Sequence, residues 1–370
     1  MKVDKSTWSS IPFTECVRTV KVNDAVQKKD YKTKGLYPII SQEKEFISGY
    51  CDNVSNLNKD FGNLIIFGDH TRIIKFIDFD FCVGADGVKV LRPFGHLDAK
   101  YLFYFLRWAD IPSNGYSRHF KFLKELIIPH PPIDAQYDIA SELDALQEVI
   151  DGYRDQIADL DALAQSIFLE TFGDPISNPK GWKTELISKF GRIVTGNTPS
   201  RAISDYYNSQ DIEWIKTDNI VKDLLTPTTA SEYLSFEGAK KGRIVKSGSI
   251  LICCIAGSLQ SIGRCCLTDR SLAFNQQINA IECDVNHIPL FVYWLIKASQ
   301  QLLIDTASTG MKHILSKSDL SSICLPMPPL ELQQQFANKI ASIEQQKDLL
   351  RQQLADAEML MAERMQYYFS

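Results

Sequence analysis

No apolar run in the 370 residues approaches the roughly 20 needed to cross a bilayer. Residues 1–5, Met-Lys-Val-Asp-Lys, carry no apolar core of a signal peptide. Nine cysteines form an odd set without framework spacing, so free thiols in a reducing cytoplasm are expected. The six histidines are scattered, with no His-Glu-x-x-His pair. There is no Gly-x-x-x-x-Gly-Lys-Ser/Thr loop for nucleotide hydrolysis. A Gly-rich cofactor loop and an Asn/Asp-Pro-Pro-Tyr/Phe base-holding motif are missing as well. Asp174-Pro175 is followed by Ile176 and reads as a helix stop. Adjacent Cys253/Cys254 and Cys265/Cys266 suggest zinc, but neighbours on a strand point to opposite faces. The expectation is a chain with no catalytic residue, bound metal or cofactor of its own.

What the chain does have is a repeat. Pro129-His130-Pro131-Pro132 opens a helical stretch to Phe172, and Pro326-Met327-Pro328-Pro329 opens another to Phe369. Superposed without a gap they share a dozen identities, among them Gln136/Gln333, Ala140/Ala337, Asp151/Asp348, Arg154/Arg351 and Phe172/Phe369. Self-similarity of this kind sets architecture before any site is considered. It divides the chain into a globular segment (1–131), a spacer helix (132–175), a second globular segment (176–328) and a C-terminal helix (329–370).

The net charge of −5 hides a division of sign. Residues 1–131 hold nineteen basic against fifteen acidic residues, and 176–328 sixteen against thirteen. The first helix holds one against eleven, the second four against six. Mildly basic globular segments beside acidic helices separate surfaces suited to phosphate from surfaces suited to solvent or protein.

Ile139, Leu143, Leu146, Ile150, Tyr153, Ile157 and Leu160 step by four and three, as a heptad seam does. Phe336, Ile340, Ile343, Leu350 and Leu354 continue the pattern in the second copy, interrupted by Lys347 and Arg364. Each seam's natural partner is the other, giving a two-helix coiled coil; two separate bundles are the alternative. An antiparallel pair needs no long connection and predicts a domain at each end. Lys347 and Arg364 read as register-setting positions or as solvated ends.

Both globular segments read as mixed α and β in the same order. Strands are expected at 62–68, 79–83 and 88–91, then a helix at 101–107; the second copy has strands at 248–254 and 277–281 and a helix at 291–296. Each then passes a Gly-basic-His cluster, Gly115-Tyr116-Ser117-Arg118-His119 or Gly310-Met311-Lys312-His313, into its Pro-rich helix entry.

Several motifs resemble those of type I restriction–modification specificity subunits. They are Tyr37-Pro38-Ile39-Ile40-Ser41-Gln42 with Ile47-Ser48-Gly49-Tyr50, Thr195-Gly196-Asn197-Thr198-Pro199-Ser200, Trp214-Ile215-Lys216-Thr217-Asp218-Asn219-Ile220 and Phe274-Asn275-Gln276-Gln277-Ile278. The resemblance covers nearly the full chain. It implies an α+β protein: two mixed α/β target recognition domains separated by an antiparallel two-helix coiled coil, with a pseudo-twofold internal repeat. It implies double-stranded DNA as ligand, two methyltransferase subunits and further restriction subunits as partners, and no membrane. S-adenosylmethionine and ATP would belong to those partners. The other reading is a non-enzymatic scaffold presenting two protein-binding modules.

Candidate DNA contacts are hydrogen-bond donors on loops, since phosphate contacts position and base-edge contacts specify. In the first segment these are Lys28, Lys29, Lys32 and Lys34 (or a solvated loop), His70, Thr71 and Arg72 at a strand end, and Arg118. In the second they are Thr198, Ser200, Arg201, Lys216, Thr217, Asp218, Asn219, Lys240, Lys241, Arg243 and Lys312. Arg72 could reach a guanine, and Asn219 an adenine edge or a helix cap. His119 and His313 could contact DNA or make a structural hydrogen bond.

Overall fold

The computed structural model describes residues 4–59, 62–85, 87–113, 115, 117–308, 310 and 312–370. Tyr116 and Met311 of the repeated clusters, and residues 1–3, lie outside the described residues. The chain groups into two compact units. Met1–Asp155 with Arg351–Ser370 form unit one, and Gln156–Leu350 form unit two. Each unit therefore joins one globular segment to part of both long helices, across the boundaries drawn by chain order.

Among the described residues unit one has ten strands: β1 (Ser9–Pro12), β2 (Val17–Thr19), β3 (Tyr37–Ile40), β4 (Gly49–Cys51), β5 (Leu57–Asn58), β6 (Leu64–Gly68), β7 (Ile74–Ile77), β8 (Phe81–Val83), β9 (Val88–Pro93) and β10 (Ile127–His130). They form an antiparallel sheet in the order β2-β9-β6-β7, a second sheet β4-β3-β8-β5, and a β1-β10 ladder. In the second sheet β3 and β8 run parallel, with Ile39 opposite Cys82 and Ile40 opposite Val83.

The β6 run Leu64-Ile65-Ile66-Phe67 is fully buried because both its faces are covered. Ile65 and Phe67 pack with Tyr101, Leu102 and Phe105 of the helix Ala99–Trp108. Leu64 and Ile66, on the opposite face, pack with Ile40, Phe81 and Val83 of the second sheet.

Among the described residues unit two repeats these ten strands in order and adds two short ones, β17 and β21: β11 (Thr184–Leu186), β12 (Gly191–Thr195), β13 (Ile212–Ile215), β14 (Tyr233–Leu234), β15 (Ile244–Val245), β16 (Ser249–Cys253), β17 (Ile255–Ala256), β18 (Cys265–Leu267), β19 (Leu272–Phe274), β20 (Ile278–Cys283), β21 (His313–Ile314) and β22 (Cys324–Pro326). Its sheets are β12-β20-β16-β18 and β14-β13-β19-β15, with a β11-β22 ladder and the short pair β17-β21. The central β13-β19 pair is again parallel. Ile250 and Ile252 face the helix Pro289–Ala298, while Leu251 and Cys253 face the second sheet. The same alternation parts the cysteines: Cys254 and Cys265 lie in one core, Cys253 and Cys266 in the other. Burial pushes the Cys254 and Cys265 thiols up to about 12.

The two long helices are Ile133–Phe172 and Leu330–Phe369. The first ends at Gly173, whose φ of 80° suits a glycine just past a helix end. Within unit one they run antiparallel. Glu142 accepts from Arg364 Nε at 2.5 Å and Tyr368 Oη at 2.7 Å, and Arg154 donates to Glu358 at 2.5 Å. Within unit two the direction is the same, with Phe168 and Phe172 against Phe336 at centroid distances of 5.6 and 5.2 Å.

The seam has a third partner. In unit one Ile139, Leu143 and Ile150 are buried with Met361, Met365 and Phe369, and Tyr101, Phe105 and Trp108 of the packing helix complete the cluster. In unit two Phe336, Ile340 and Ile343 pack with Phe291 and Trp294. Leu146, Tyr153, Ile157, Leu160, Leu350 and Leu354 are half-buried. Mutual pairing therefore covers only part of each stripe, and each globular segment supplies a helix for the rest. Lys347 is 2% exposed and bonded to Asp161 at 2.6 Å and Glu344 at 2.9 Å, so it is a buried polar position and not a solvated end. No described helix is long and apolar enough to cross a membrane.

Candidate nucleic-acid interface

In both units some of the candidate residues gather where the parallel strand pair ends. The carboxyl ends of parallel strands open a crevice with unpaired backbone groups, which is where open sheets commonly place ligand loops. In unit one this end carries Ser41, Gln42 and Glu43 after β3, and Gly84 after β8. An added Cβ at Gly84 would sit 2.6 Å from Ser41 Cβ, so glycine permits the two loops to touch.

Gln42 organises the cluster. Its Oε1 accepts the His70 N–H at 3.1 Å, and its carbonyl accepts the Thr71 hydroxyl at 2.7 Å. His70 Nδ1 lies 3.2 Å from Ser117 O. Lys28 pairs with Glu43, which brings the basic turn Lys28–Asp30 to the same place. Lys75, missed by the sequence reading, underlies the loop. It is 4% exposed and donates to the carbonyls of Ser41 (3.0 Å), Glu45 (2.5 Å) and Phe46 (3.2 Å). Burial lowers its pKa from the usual lysine range. A lysine inside an alternating apolar strand, Ile74-Lys75-Phe76-Ile77, was the signal available.

The remaining candidates of unit one divide. Lys32 is paired with Asp52 at 2.7 Å. Lys29, Lys34 and Arg118 are exposed. Arg72 adopts φ 61° and donates Nη1 to Ile111 O at 2.8 Å, which ties its guanidinium to the protein and limits a bidentate grip on guanine. His119 is 1% exposed, its Nδ1 2.9 Å from Asp69 O. That geometry fits the structural alternative for this histidine.

Unit two assembles more. Arg201 lies over the rings of Tyr207 (4.5 Å) and Trp214 (5.0 Å), and Lys216 over Trp214 (5.3 Å). Glu232 pairs with both cations, and its carboxyl is held below the usual range first by the Lys216 hydrogen bond. Trp214 Nε1 donates to Asn197 O at 3.2 Å, and Asn197 Nδ2 to Lys241 O at 2.6 Å. Thr198 donates to Gln276. Gly196 lets this loop approach, since a Cβ there would fall 2.1 Å from Asn275 O. Thr198, Arg201, Lys216 and Lys241 are thus brought together with Tyr207, Glu232 and Gln276. Gln276 belongs to the Phe274–Ile278 motif, whereas Tyr207 and Glu232 stood out in no motif and no spacing connects them.

Asn219 is buried. Its Oδ1 accepts Lys216 N at 3.0 Å, and Nδ2 donates to Thr228 Oγ1 and Thr229 O at 3.1 Å. It closes the turn Thr217–Asn219 from its last residue, bonding back to Lys216 and not forward to a following helix as the cap reading had it. Thr217 is half-buried and its carbonyl accepts from Arg264, while Asp218 beside it is exposed. Ser200, Lys240, Arg243 and Lys312 are exposed, Lys240 pairing with Glu237. His313 lies in β21 opposite Ala256. Among the described residues, no group of three or more His, Cys, Asp or Glu could hold a metal ion.

Both units therefore offer aromatic, amide and cationic groups at the same topological place, with different residues. The model of the type I restriction modification DNA specificity domain matches residues 7–160 and 179–359. A type I restriction enzyme specificity subunit of Escherichia coli is 21% identical over 327 residues, covering 84% of this chain and 80% of that protein. One from Haemophilus influenzae is 30% identical over 170 residues, which is 45% of this chain and 36% of the relative's length. The crystal structure of a type I restriction–modification S subunit from M. genitalium matches 100% of this chain and 98% of its own with a TM-score of 0.65 at 14% identity, a likeness of fold. Since the matched segments take in both sheet assemblies and most of both long helices, the chain belongs to the type I restriction–modification DNA specificity family.

Proposed function

We propose that this chain is the sequence-reading subunit of a type I restriction–modification complex, each unit reading one half of a split DNA site. The observation that carries this is the repeat of both four-stranded sheets and the terminal ladder, with a chemically different loop cluster at the same place. Gln42, His70 and Thr71 occupy it in unit one, and Arg201, Trp214, Lys216 and Glu232 in unit two. One scaffold with two reading surfaces suits a target with two unlike halves.

On this reading the paired helices set the gap between half-sites and dock two methyltransferase subunits, and restriction subunits join the larger assembly. Methyl transfer and cleavage, with S-adenosylmethionine and ATP, belong to those partners. This chain contributes recognition only, in the cytoplasm where DNA is reached. Its basic loops give salt-sensitive binding, because each phosphate neutralised releases counterions.

A genome-wide map of methylated bases, with the methyltransferase subunits present, tests the proposal. With this chain, one bipartite motif is methylated; without it, none. Replacing residues 1–131 by the corresponding segment of another family member changes one half of the motif. The same methylation in the absence of this chain would refute it.

A further inference from the structure

Lys75 is 4% exposed, in an edge strand whose own pattern asks for an apolar residue. It stands in β7 opposite Ile66 of β6, on the face turned to the second sheet. Ile77, two residues on and therefore on the same face, packs into that core with Ile40 and Val83. An ammonium placed there is costly unless its donors are all met.

All three are met, and all by one loop. An ammonium has three N–H groups, and Lys75 directs them to the carbonyls of Ser41, Glu45 and Phe46. The hydroxyls of Ser41 and Ser48 lie 2.6 Å apart at the base of the same loop. Residues 42–47 are thus closed at the base and drawn onto the sheet edge by a single side chain. Gln42, which organises the candidate cluster of unit one, belongs to this loop.

Unit two reaches the same result from a different position. Cys266 stands opposite Leu251 as Lys75 stands opposite Ile66, so a thiol occupies the lysine's place. Two residues earlier, Arg264 O accepts Cys253 N at 2.8 Å, which carries the ladder one residue past β18. Residues two apart on a strand share a face, so Arg264 also faces the second sheet. Its Nη2 donates to Thr217 O at 3.3 Å, in the loop that follows β13. Each unit therefore has a cation on its edge strand β7 or β18 that holds backbone carbonyls of the loop after the parallel pair. The residue changes in type and place while the contact stays.

We propose that Lys75 and Arg264 are positioning residues for sequence reading: each fixes the loop that follows its unit's parallel pair, and so sets discrimination at one half-site. This inference rests on the function proposed above. Lys75 has no donor left for a base, so its effect passes through the loop that carries Gln42. Without the cation the loop takes several shapes, and its side chains meet right and wrong bases more nearly alike. Phosphate contacts carry no sequence information and largely remain.

The test uses the full chain assembled with methyltransferase subunits, and duplexes carrying its methylated motif intact or with one base changed in either half. The half read by unit one is identified by replacing residues 1–131. Discrimination is the ratio of Kd for the changed duplex to Kd for the intact one. Lys75→Met should lower it about tenfold or more at the half read by unit one, and leave the other half within about twofold. Arg264→Met should do the reverse. Amide hydrogen exchange in residues 42–47 should quicken in Lys75→Met while the rest of unit one keeps its protection. If Lys75→Met does not fold, Lys75→Gln, which keeps an N–H donor without the charge, is judged by the same ratio. Each residue is judged by its own variant. An even loss of affinity with both ratios intact means a merely structural cation and overturns its assignment. So does a fall in both halves from one variant. If the wild type shows no sequence preference, the proposed function fails and this inference falls with it. A wild-type preference that survives unaltered in both folded variants defeats this inference alone.

Discussion

The side-chain carbonyl of Gln136 accepts the backbone N–H of Asp98 at 2.8 Å, tying the long helix to the residue that caps the packing helix. Gln333 makes the same bond to Ile288 N at 3.1 Å, before the packing helix of unit two. Each amide also donates into its Pro-rich entry, to Pro131 O and Pro328 O, both at 2.9 Å. Both glutamines are buried. Truncation strands a backbone donor at each site, with the carbonyls of His96 and Pro131 at Gln136 and that of Pro328 at Gln333, so Gln136→Ala and Gln333→Ala should each cost about 1–3 kcal/mol. Urea unfolding checks this, and loss within ±0.5 kcal/mol would show the bonds to be incidental.

Lys347 stands where the first copy has Ile150, and Glu344 where it has Gln147. Removing one member of a buried charge group strands the others, at about 3–5 kcal/mol. Lys347→Ile alone should therefore destabilise the protein. The triple variant Lys347→Ile, Glu344→Gln, Asp161→Ala removes the charges together and should recover most of the loss. Thermal unfolding of the two variants decides it: a triple variant less stable than the single one would contradict this account.

The Arg364 hydrogen bond, aided by Tyr368, holds the Glu142 carboxyl down at about 2, against an ordinary value of 4.5. A depressed carboxylate pKa stabilises the fold above pH 4.5, and the contribution disappears as pH falls toward 2. In Glu142→Gln the acid limb of the stability profile between those pH values should be shallower. An unchanged profile would mean that the pair forms equally in the unfolded chain.

Arg201 and Lys216 occupy one aromatic platform but should differ in effect. If Lys216 meets a phosphate, Lys216→Ala weakens binding evenly across sequences and lowers the salt slope by about one. If Arg201 meets a base edge, Arg201→Ala relaxes one position of one half-site, a loss of about 1–3 kcal/mol in discrimination. Methylation maps and binding at several salt concentrations separate the two effects. A change in the half-site read by unit one would refute the assignment.

Deleting one matched heptad from each long helix shortens both by about 10 Å. The gap in the methylated motif should shrink by about three base pairs, with both halves unchanged. An unaltered gap would defeat the idea that the helices act as a ruler.

The long helices, their ends and their seam were legible because helical periodicity is local: residues three and four apart share a face wherever the chain goes. Strands β6 and β16 were legible as unbroken apolar runs. The short strands β4, β5, β14 and β15 were not, since two or three residues carry no readable period. Nor was the parallel pairing of β3 with β8 or β13 with β19, which joins segments distant in the chain. The loop candidates were half legible. Residue type marks Arg201 and Lys216 as donors, but only the fold shows that Glu232 holds both and that Tyr207 and Trp214 lie beneath.

The repeat, the acidic helices, the basic globular segments and the positions of the motifs follow from the amino-acid order alone, because they depend on identity and short-range spacing. Tertiary structure decided the rest: that Asn219 closes a turn, that His119 is buried against Asp69, that Lys347 is internal, and that each seam needs a third helix. Those outcomes depend on which backbone groups lose water and which partners remain, and that is settled only when distant segments meet.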